Sequence, residues 1–374
     1  MAWTPYQLTV CIVLVITGSI NTLTTKWADR IESEGRDGEV RNFNHPFVQS
    51  LAMFLGEMLC LLGFKIIYFY YKKKDNSQDE RTLVRGSRNF KISIFFLPAM
   101  CDLFGTSIVY IGLTMTNASS FQMLRGSLII FVVLLSVGFL NRKVNSREWT
   151  GIITIILGLV IVGLSDFYVA KDRSFNSVIT GDLLIILGQI VTATQIVLEE
   201  YFVAGQDIPP LQAVGWEGTF GFSVLGMLLV PLSYIHVGRP FSTSPGGALE
   251  DVQDALVQMQ NNHLLIICII GTIVSIGFFN FCGISVTKEL SGTTRTVLDS
   301  VRTFVIWLMT IALGWEKFSF LQVIGFFLLV MGMFIYNDIL ITRGIRSAIN
   351  WYTSRPTTVS HESLINQAAD ETNP

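Results

Sequence analysis

The sequence predicts an all-α integral membrane protein of ten transmembrane helices, arranged as two inverted five-helix repeats. Three observations predict it: a shortage of charge, ten apolar runs of spanning length, and a faint internal repeat. Of 374 residues, 51% are hydrophobic and 14% charged, with a mean hydropathy of +0.52. A soluble chain of this length carries about a quarter charged residues, so the deficit points to lipid. A net charge of −2 leaves no nucleic-acid footprint.

A span needs about 20 mostly apolar residues. Ten windows meet that need, near 6–25, 46–70, 91–113, 117–140, 147–165, 179–203, 212–235, 263–286, 293–313 and 319–342. Helices are expected, because lipid-exposed backbone must satisfy its own hydrogen bonds. The first window lies in "MAWTPYQLTVCIVLVITGSINTL", which has no basic leader and no small-residue cleavage site. It reads as a retained helix, not a signal peptide. The eighth and ninth windows are the least cleanly separated.

Three polar stretches punctuate the runs. Residues 26–45 carry charges of both signs, residues 72–91 hold seven Lys/Arg, and the second half of 236–262 reads as a short amphipathic surface helix. The chain after Thr342 reads as a disordered tail. With the N-terminus cytoplasmic, the loops on that side and the tail hold fourteen basic residues against eight on the other. The excess places both termini in the cytoplasm.

Shifting residues 118–163 by 174 positions sets Lys143 on Lys317, Gly151 on Gly325 and Gly158 on Gly332. The spacing fits one five-helix unit, residues 1–165, followed by another, residues 166–342, and then the tail, residues 343–374. An odd number of spans turns the second copy upside down. Inverted repeats share a cavity near the bilayer midplane that opens alternately to each side.

Enzyme chemistry finds no support. The five cysteines (Cys11, Cys60, Cys101, Cys268, Cys282) fall inside apolar runs and read as small buried hydrophobes. The four histidines are far apart, without zinc-ligand spacing, and no Gly-rich phosphate loop or nucleophile elbow occurs. No cofactor and no metal are expected.

Charge inside the spans is the main functional signal. Glu57, Asp102, Arg125, Glu217, Asp299 and Arg302 lie well within them, while Asp182, Glu199, Glu200, Lys288 and Glu289 lie near span ends. At about 2.5 kcal/mol each, six uncompensated charges would cost on the order of 15 kcal/mol, as much as a domain's whole stability. They must pair, titrate or face a wet cavity.

The ninth span, "TTRTVLDSVRTFVIW", sets Arg295, Asp299 and Arg302 at i, i+4 and i+7 on one helical face. Asp299 can neutralise one arginine. The other is then either part of a salt-bridge ladder between helices or a cation presented to a solute. Arg125, in "SSFQMLRGSLIIF", occupies the position that the repeat equates with Asp299. Ser119, Gln122 and Arg125 form a polar stripe that suggests an inward wall. Arg125 is expected to line the cavity or to pair there with Asp102 or Glu57; snorkelling to the interface is the plainer alternative. Asp102 follows Pro98 by one turn, and the proline suggests a kink at a cavity edge. Glu57 and Glu217 sit beside glycines and read as proton-coupling carboxylates or as structural anchors. The single Asn-x-Ser/Thr site, at Asn117, reads as a helix cap and not a glycosylation site.

At "FFNFCGISVTKELSGTTRTVLDSVRTFVIW" (Phe278–Trp307) the chain resembles solute carrier family 35 and the wider drug/metabolite transporter superfamily. Asn280, the Ser291–Thr294 turn, Asp299 and Arg302 fall at that family's motif positions. "TGDLLIILGQIVTATQIVLEEYF" (Thr180–Phe202), with Glu199 and Glu200, resembles the sixth helix of its F-type subfamily. The likeness covers nearly all of residues 1–342. It implies ten helices in two inverted repeats, both termini cytoplasmic, and an endomembrane location, the lysosomal membrane first and the mitochondrion second. Nucleotide-sugar carriers of the family commonly have asparagine where this chain has Asp299, and an acid there repels a diphosphate unless Arg295 or Arg302 masks it.

The sequence thus predicts a secondary-active carrier for a small organic solute, working by alternating access. Arg125, Asn280, Asp299 and Arg302 are its substrate-binding candidates, and Glu57, Asp102 and Glu217 its ion-coupling candidates. Membrane lipid and the solute are the expected partners, with a homodimer and sorting adaptors at the tail beside them. In "SHESLI" a sorting signal would need phosphorylated Ser360 to supply its acid. The rival reading is a non-transporting membrane scaffold acting through its tail and the basic 72–91 loop.

Overall fold

The computed structural model describes residues 4–73, 86–87, 89–115, 121, 124–169, 175–237, 246–314 and 320–337. Asn117, Ser119, Gln122, most of the basic 72–91 loop and the whole tail, Ser360 included, lie outside the described residues.

The first helix, α1 (Pro5–Ala28), starts where the sequence says it should. Thr4 Oγ1 accepts from the Gln7 amide at 3.2 Å, the Gln7 side chain accepts from the Thr4 amide at 3.0 Å, and Pro5 fills the first turn. These bonds form a reciprocal capping box that satisfies orphan amides. After α1, the charged 26–45 stretch folds into a two-stranded antiparallel hairpin, β1 (Glu32–Glu34) and β2 (Val40–Asn42), with Ser33 opposite Arg41.

Among the described residues nine further long helices follow, with one short one between them. They are α2 (Pro46–Lys73), α3 (Phe96–Met115), α4 (Leu128–Leu140), α5 (Ser146–Val169), α6 (Phe175–Glu199), α7 (Pro210–Leu232), the short α8 (Val252–Asn261), α9 (His263–Glu289), α10 (Gly292–Ala312) and α11 (Phe320–Asn337). Six of the described helices are long and apolar enough to cross a membrane: Pro5–Ala28, Pro46–Lys73, Ile92–Leu113, Ile179–Ala204, Pro210–Leu232 and His263–Glu289. Arg125–Leu140 and Val323–Tyr336 are shorter apolar helices. On α1, Leu8, Ile12, Ile16 and Ile20 recur every four residues and are exposed, whereas Ser19 and Asn21 are buried. Apolar outside and polar inside is the pattern of a helix facing lipid. The chain is a multi-pass membrane protein.

Two local expectations change. Pro98 stands where a 3₁₀ turn (Ile92–Phe95) hands over to α3, so it marks a change of helix type at the helix start and not a kink inside it. The eighth and ninth spans separate at Leu290–Ser291, because Ser291 leaves the helix and its Oγ accepts from the Thr294 amide at 3.1 Å as the cap of α10.

The most extensive pairings are α5 with α11, α3 with α6, α1 with α9 and α2 with α7. Small residues allow them. Gly151 faces Gly332 and Gly158 faces Gly325 along the antiparallel α5–α11 seam; a Cβ on Gly332 would stand 2.6 Å from Ile155 Cγ1 and 2.8 Å from the Gly151 carbonyl.

At the α1 C-terminal end, the hairpin and α8 cover the bundle. Arg41 Nη2 meets Asp254 Oδ1 at 2.8 Å, and His45 Nδ1 lies 2.7 Å from Glu250 Oε1. Glu250 Oε2 accepts from the Phe47 and Val48 amides at 2.9 and 3.3 Å, supplying the negative charge a helix N-terminus favours. Burial pushes the Asp254 carboxyl up, but Arg41 and the Arg36 amide outweigh it and hold it below its ordinary value. The predicted surface helix is therefore real, with Asp254, Ala255 and Gln258 as its buried face.

Candidate functional site

A cavity of about 290 Å³ lies within the bundle. Its lining comes from α1 (Leu14, Asn21, Thr22, Thr25), α2 (Met53, Glu57), α3 (Asp102, Gly105, Thr106, Val109, Tyr110, Leu113), α4 and the turn before it (Arg125, Leu128), α6 (Gln189, Thr192, Gln195, Ile196), α9 (Ile276, Phe279, Asn280) and α10 (Arg295, Thr296, Asp299, Arg302). Lys26, Asp29 and Phe121 complete the wall. Six of the seven candidate residues are brought together here, three from residues 1–165 (Glu57, Asp102, Arg125) and three from residues 166–342 (Asn280, Asp299, Arg302).

Asp299 is the hinge of the charge arrangement. Its Oδ1 lies 2.6 Å from Arg302 Nη2, and its Oδ2 lies 3.9 Å from Arg125 Nη2. Neither expected partner of Arg125, Asp102 or Glu57, takes that place; the residue at its repeat-equivalent position holds it instead. Arg125 sits in a 3₁₀ turn (Arg125–Ser127) ahead of α4 and turns into the cavity rather than snorkelling outward. The Arg302 guanidinium lies 4.7 Å from the Phe279 ring centroid, and its Nη1 reaches the Gly18 carbonyl at 3.5 Å. Stacking on an aromatic face holds such a cation in a dry environment. Its Nε is buried with no hydrogen-bond partner among the described residues.

Arg295, one of the two arginines that the sequence set on the face of Asp299, pairs with Glu199 on α6, whose other carboxylate oxygen accepts from Gln195 Nε2 at 2.9 Å. Asp299 and Arg302 pair within α10, whereas Arg295 makes its ion pair across to α6.

Opposite α10, Asn280 Nδ2 donates to Glu57 Oε1 at 2.5 Å and Thr106 Oγ1 donates to Asp102 Oδ1 at 3.2 Å. Glu217 does not join the cavity lining. It is buried on α7 beside Gly218, which packs on α2, and its Oε1 has no hydrogen-bond partner among the described residues. The glycine neighbours that made it look functional serve close helix packing.

Past Arg295 the cavity ends in polar contacts between loops. Glu200 Oε2 accepts from the Gly292 amide at 3.0 Å, Lys288 Nζ meets Asp207 at 2.7 Å and donates to the Ile208 carbonyl at 3.0 Å, and Arg142 donates to Thr293 at 2.6 Å. These contacts tie the α6–α7 and α4–α5 connections to the α9–α10 turn. At the opposite end the lining reaches Lys26, Asp29, Tyr110 and Leu113. Burial pushes the Asp29 carboxyl up to about 6, although Gln49 Nε2 donates to it at 2.7 Å.

The sequence reading missed the polar stripes of α3 (Asp102, Thr106, Tyr110) and α6 (Gln189, Thr192, Gln195) as walls. Their spacing of four and of three was the available signal. Among the described residues, no group of His, Cys, Asp and Glu could hold a metal ion.

Comparison with known proteins identifies the family. A family model described as solute carrier family 35 matches residues 13–237. Rat solute carrier family 35 member F6 is 51% identical over 342 residues, covering 91% of this chain and 90% of the relative. The chain belongs to solute carrier family 35. The resemblance to the F-type subfamily is thereby borne out, and solute carrier membership indicates a transporter rather than an enzyme. A chloroquine resistance transporter from Toxoplasma gondii is 28% identical over 153 residues, covering 41% of this chain and 16% of that protein. A solved structure titled "Crystal structure of protein" superposes with a TM-score of 0.56 at 11% identity, covering 90% of this chain and 98% of that one. The likeness is one of fold.

Proposed function

We propose that this family 35 protein is a secondary-active carrier that moves a small organic solute across an endomembrane by alternating access. One observation carries the reading: of the six charged side chains singled out within the spans, all but Glu217 converge on one internal cavity, drawn from both halves of the chain. An intramembrane ionisable residue marks a solute or ion pathway by default.

The repeat architecture has support from the packing. If α1–α5 correspond in order to α6, α7, α9, α10 and α11, then the α1–α9 pairing exchanges with α6–α3, while α2–α7 and α5–α11 each map onto themselves. The Gly151–Gly332 and Gly158–Gly325 contacts exchange in the same way. A two-fold axis in the membrane plane produces this pattern, and such carriers rock one repeat against the other. Arg125, Asn280, Asp299 and Arg302 contact the solute, and Glu57 and Asp102 are the coupling carboxylates. The loop-charge excess and the family resemblance support cytoplasmic termini and a lysosomal location, with the mitochondrion second.

The test is counterflow uptake by purified protein in proteoliposomes, screened with nucleotide sugars, vitamins, polyamines and amino acids. Saturable exchange that Arg302→Gln abolishes supports the carrier. No exchange of any class by folded protein moves the weight to the scaffold, for which deletion of the tail would matter more than any cavity change.

A further inference from the structure

The charges lining the cavity fall mostly into two groups, with Arg295, Lys26 and Asp29 beside them. On one wall, two guanidiniums, Arg125 and Arg302, share the single carboxylate of Asp299. On the other, Glu57 and Asp102 present two carboxylates whose hydrogen-bond partners among the described residues, Asn280 and Thr106, are neutral. Neither has a described Lys, Arg or His within 4.0 Å. Arg295 does not compensate them as a direct partner, because Glu199 takes it.

We propose that the cavity takes a zwitterion of amino-acid or dipeptide size, with its ammonium end at Glu57 and Asp102 and its carboxylate end at Arg302 and Arg125. The proposal rests on the carrier reading and names the substrate class for that same site. A desolvated charge without a partner costs several kcal/mol. An anion alone would satisfy the arginine wall and leave Glu57 and Asp102 to be neutralised by coupled protons, a place that the ammonium end of a zwitterion takes instead. A cation alone would do the reverse, and a neutral solute would answer neither wall. A zwitterion answers both while adding no net charge to the membrane interior. Ile276 and Phe279 on α9 offer apolar surface to the body of the solute.

The volume agrees. About 290 Å³ stands at the lower edge of ligand pockets, roughly 300–1,000 Å³. Asp299 acts as an internal counter-ion that the solute carboxylate replaces. Its 3.9 Å separation from Arg125 is beyond hydrogen-bond range, so that guanidinium, 28% exposed, keeps donors for an incoming carboxylate. Arginine's planar fork suits a carboxylate in two-point contact.

The experiment uses full-length protein in proteoliposomes and matched triples of solutes. Leucine, phenylalanine and glutamine are each compared with the corresponding acid lacking the amino group and the corresponding amine lacking the carboxylate. Alanyl-alanine extends the zwitterions to dipeptide size, and a nucleotide sugar and thiamine serve as carriers' substrates of other classes. Counterflow of at least one zwitterion, with at least tenfold weaker exchange of both its single-charge partners, is the expected result. Glu57→Gln with Asp102→Asn should then narrow the gap between the zwitterion and its acid partner, a change in selectivity that loss of folding would not produce. A single-charge partner exchanged as well as or better than its zwitterion overturns the proposal. Exchange of only the nucleotide sugar or thiamine overturns it while leaving the carrier reading intact. No exchange by folded protein overturns both.

Discussion

Gly18 of α1 leaves open the space through which the Arg302 side chain passes: a Cβ built on Gly18 would stand 2.5 Å from Arg302 Cδ and 2.6 Å from Phe279 Cδ2. The arginine's position therefore depends on a hydrogen atom on a neighbouring helix. Gly18→Ala must push Arg302 off Phe279 or spread α1 from α9. Overpacking of this kind costs about 1–3 kcal/mol of stability, and displacement of Arg302 should lower solute exchange. Uptake per folded molecule checks it, and an unchanged rate would mean that Arg302 does not need its present position.

The Arg295–Glu199 pair is buried between α10 and α6. Removing one partner of such a pair costs about 3–5 kcal/mol, while replacing both by apolar residues is often neutral. Arg295→Met and Glu199→Leu should each lower the melting temperature in detergent strongly. The double variant should recover most of the loss. A double variant as unstable as the sum of the singles would show that each residue acts apart from the other.

Along the α5–α11 seam, Gly332 meets Ile155 and the Gly151 backbone. Gly332→Val should destabilise the protein by about 1–3 kcal/mol, because two helix backbones must separate. Gly138, where an added Cβ would meet nothing within 4 Å, is the control. Gly138→Ala should leave the melting temperature unchanged or slightly raised. Equal losses at both sites would contradict the seam.

Two acids at the α1 C-terminal end titrate with opposite consequences. Burial raises the Asp29 carboxyl to about 6 from 3.8, so the folded state keeps a proton that the unfolded chain gives up. Its contribution turns unfavourable as pH rises from about 4 to about 6 and stays so above. Asp29→Asn should therefore stabilise at pH 7, by at most about 3 kcal/mol on a shift of this size, and do nothing at pH 3.5. Asp254 is shifted down, so it stabilises above the ordinary carboxylate value and that support is lost as pH falls through its folded value. Arg41→Ala should weaken this acid's contribution at neutral pH. Melting curves across pH 3–8 check both signs, and a gain from Asp29→Asn at pH 3.5 equal to that at pH 7 would refute the first.

Much of this was legible in the residues. The helix windows stand near the helices, because apolar length is a direct demand of lipid. Six of the seven candidates were picked by the cost of burying charge and Asn280 by the family resemblance, and six of the seven line one cavity. What the sequence could not show was partnership. Arg295, Asp299 and Arg302 share a helical face at regular spacing, yet Arg295 turns to Glu199, nearly 100 positions earlier on another helix. Glu217 carried the same signal as Glu57, a carboxylate beside glycine, and only the packing of α7 on α2 separates them. The β1–β2 hairpin was invisible because strands of three residues are too short to show an alternation.

Alternating access is tested most directly by cysteine accessibility at Thr106, which lines the cavity on α3. In protein with Cys11, Cys60, Cys101, Cys268 and Cys282 replaced by serine, Thr106→Cys would be exposed to a membrane-impermeant maleimide from each face of oriented vesicles. With the loops intact, labelling should come from the face at the Asp29 end. After Lys288→Gln, which removes the charge held by Asp207, labelling should rise from the opposite face and fall from the first. Labelling confined to one face in both proteins, or absent from both, would contradict an alternating carrier.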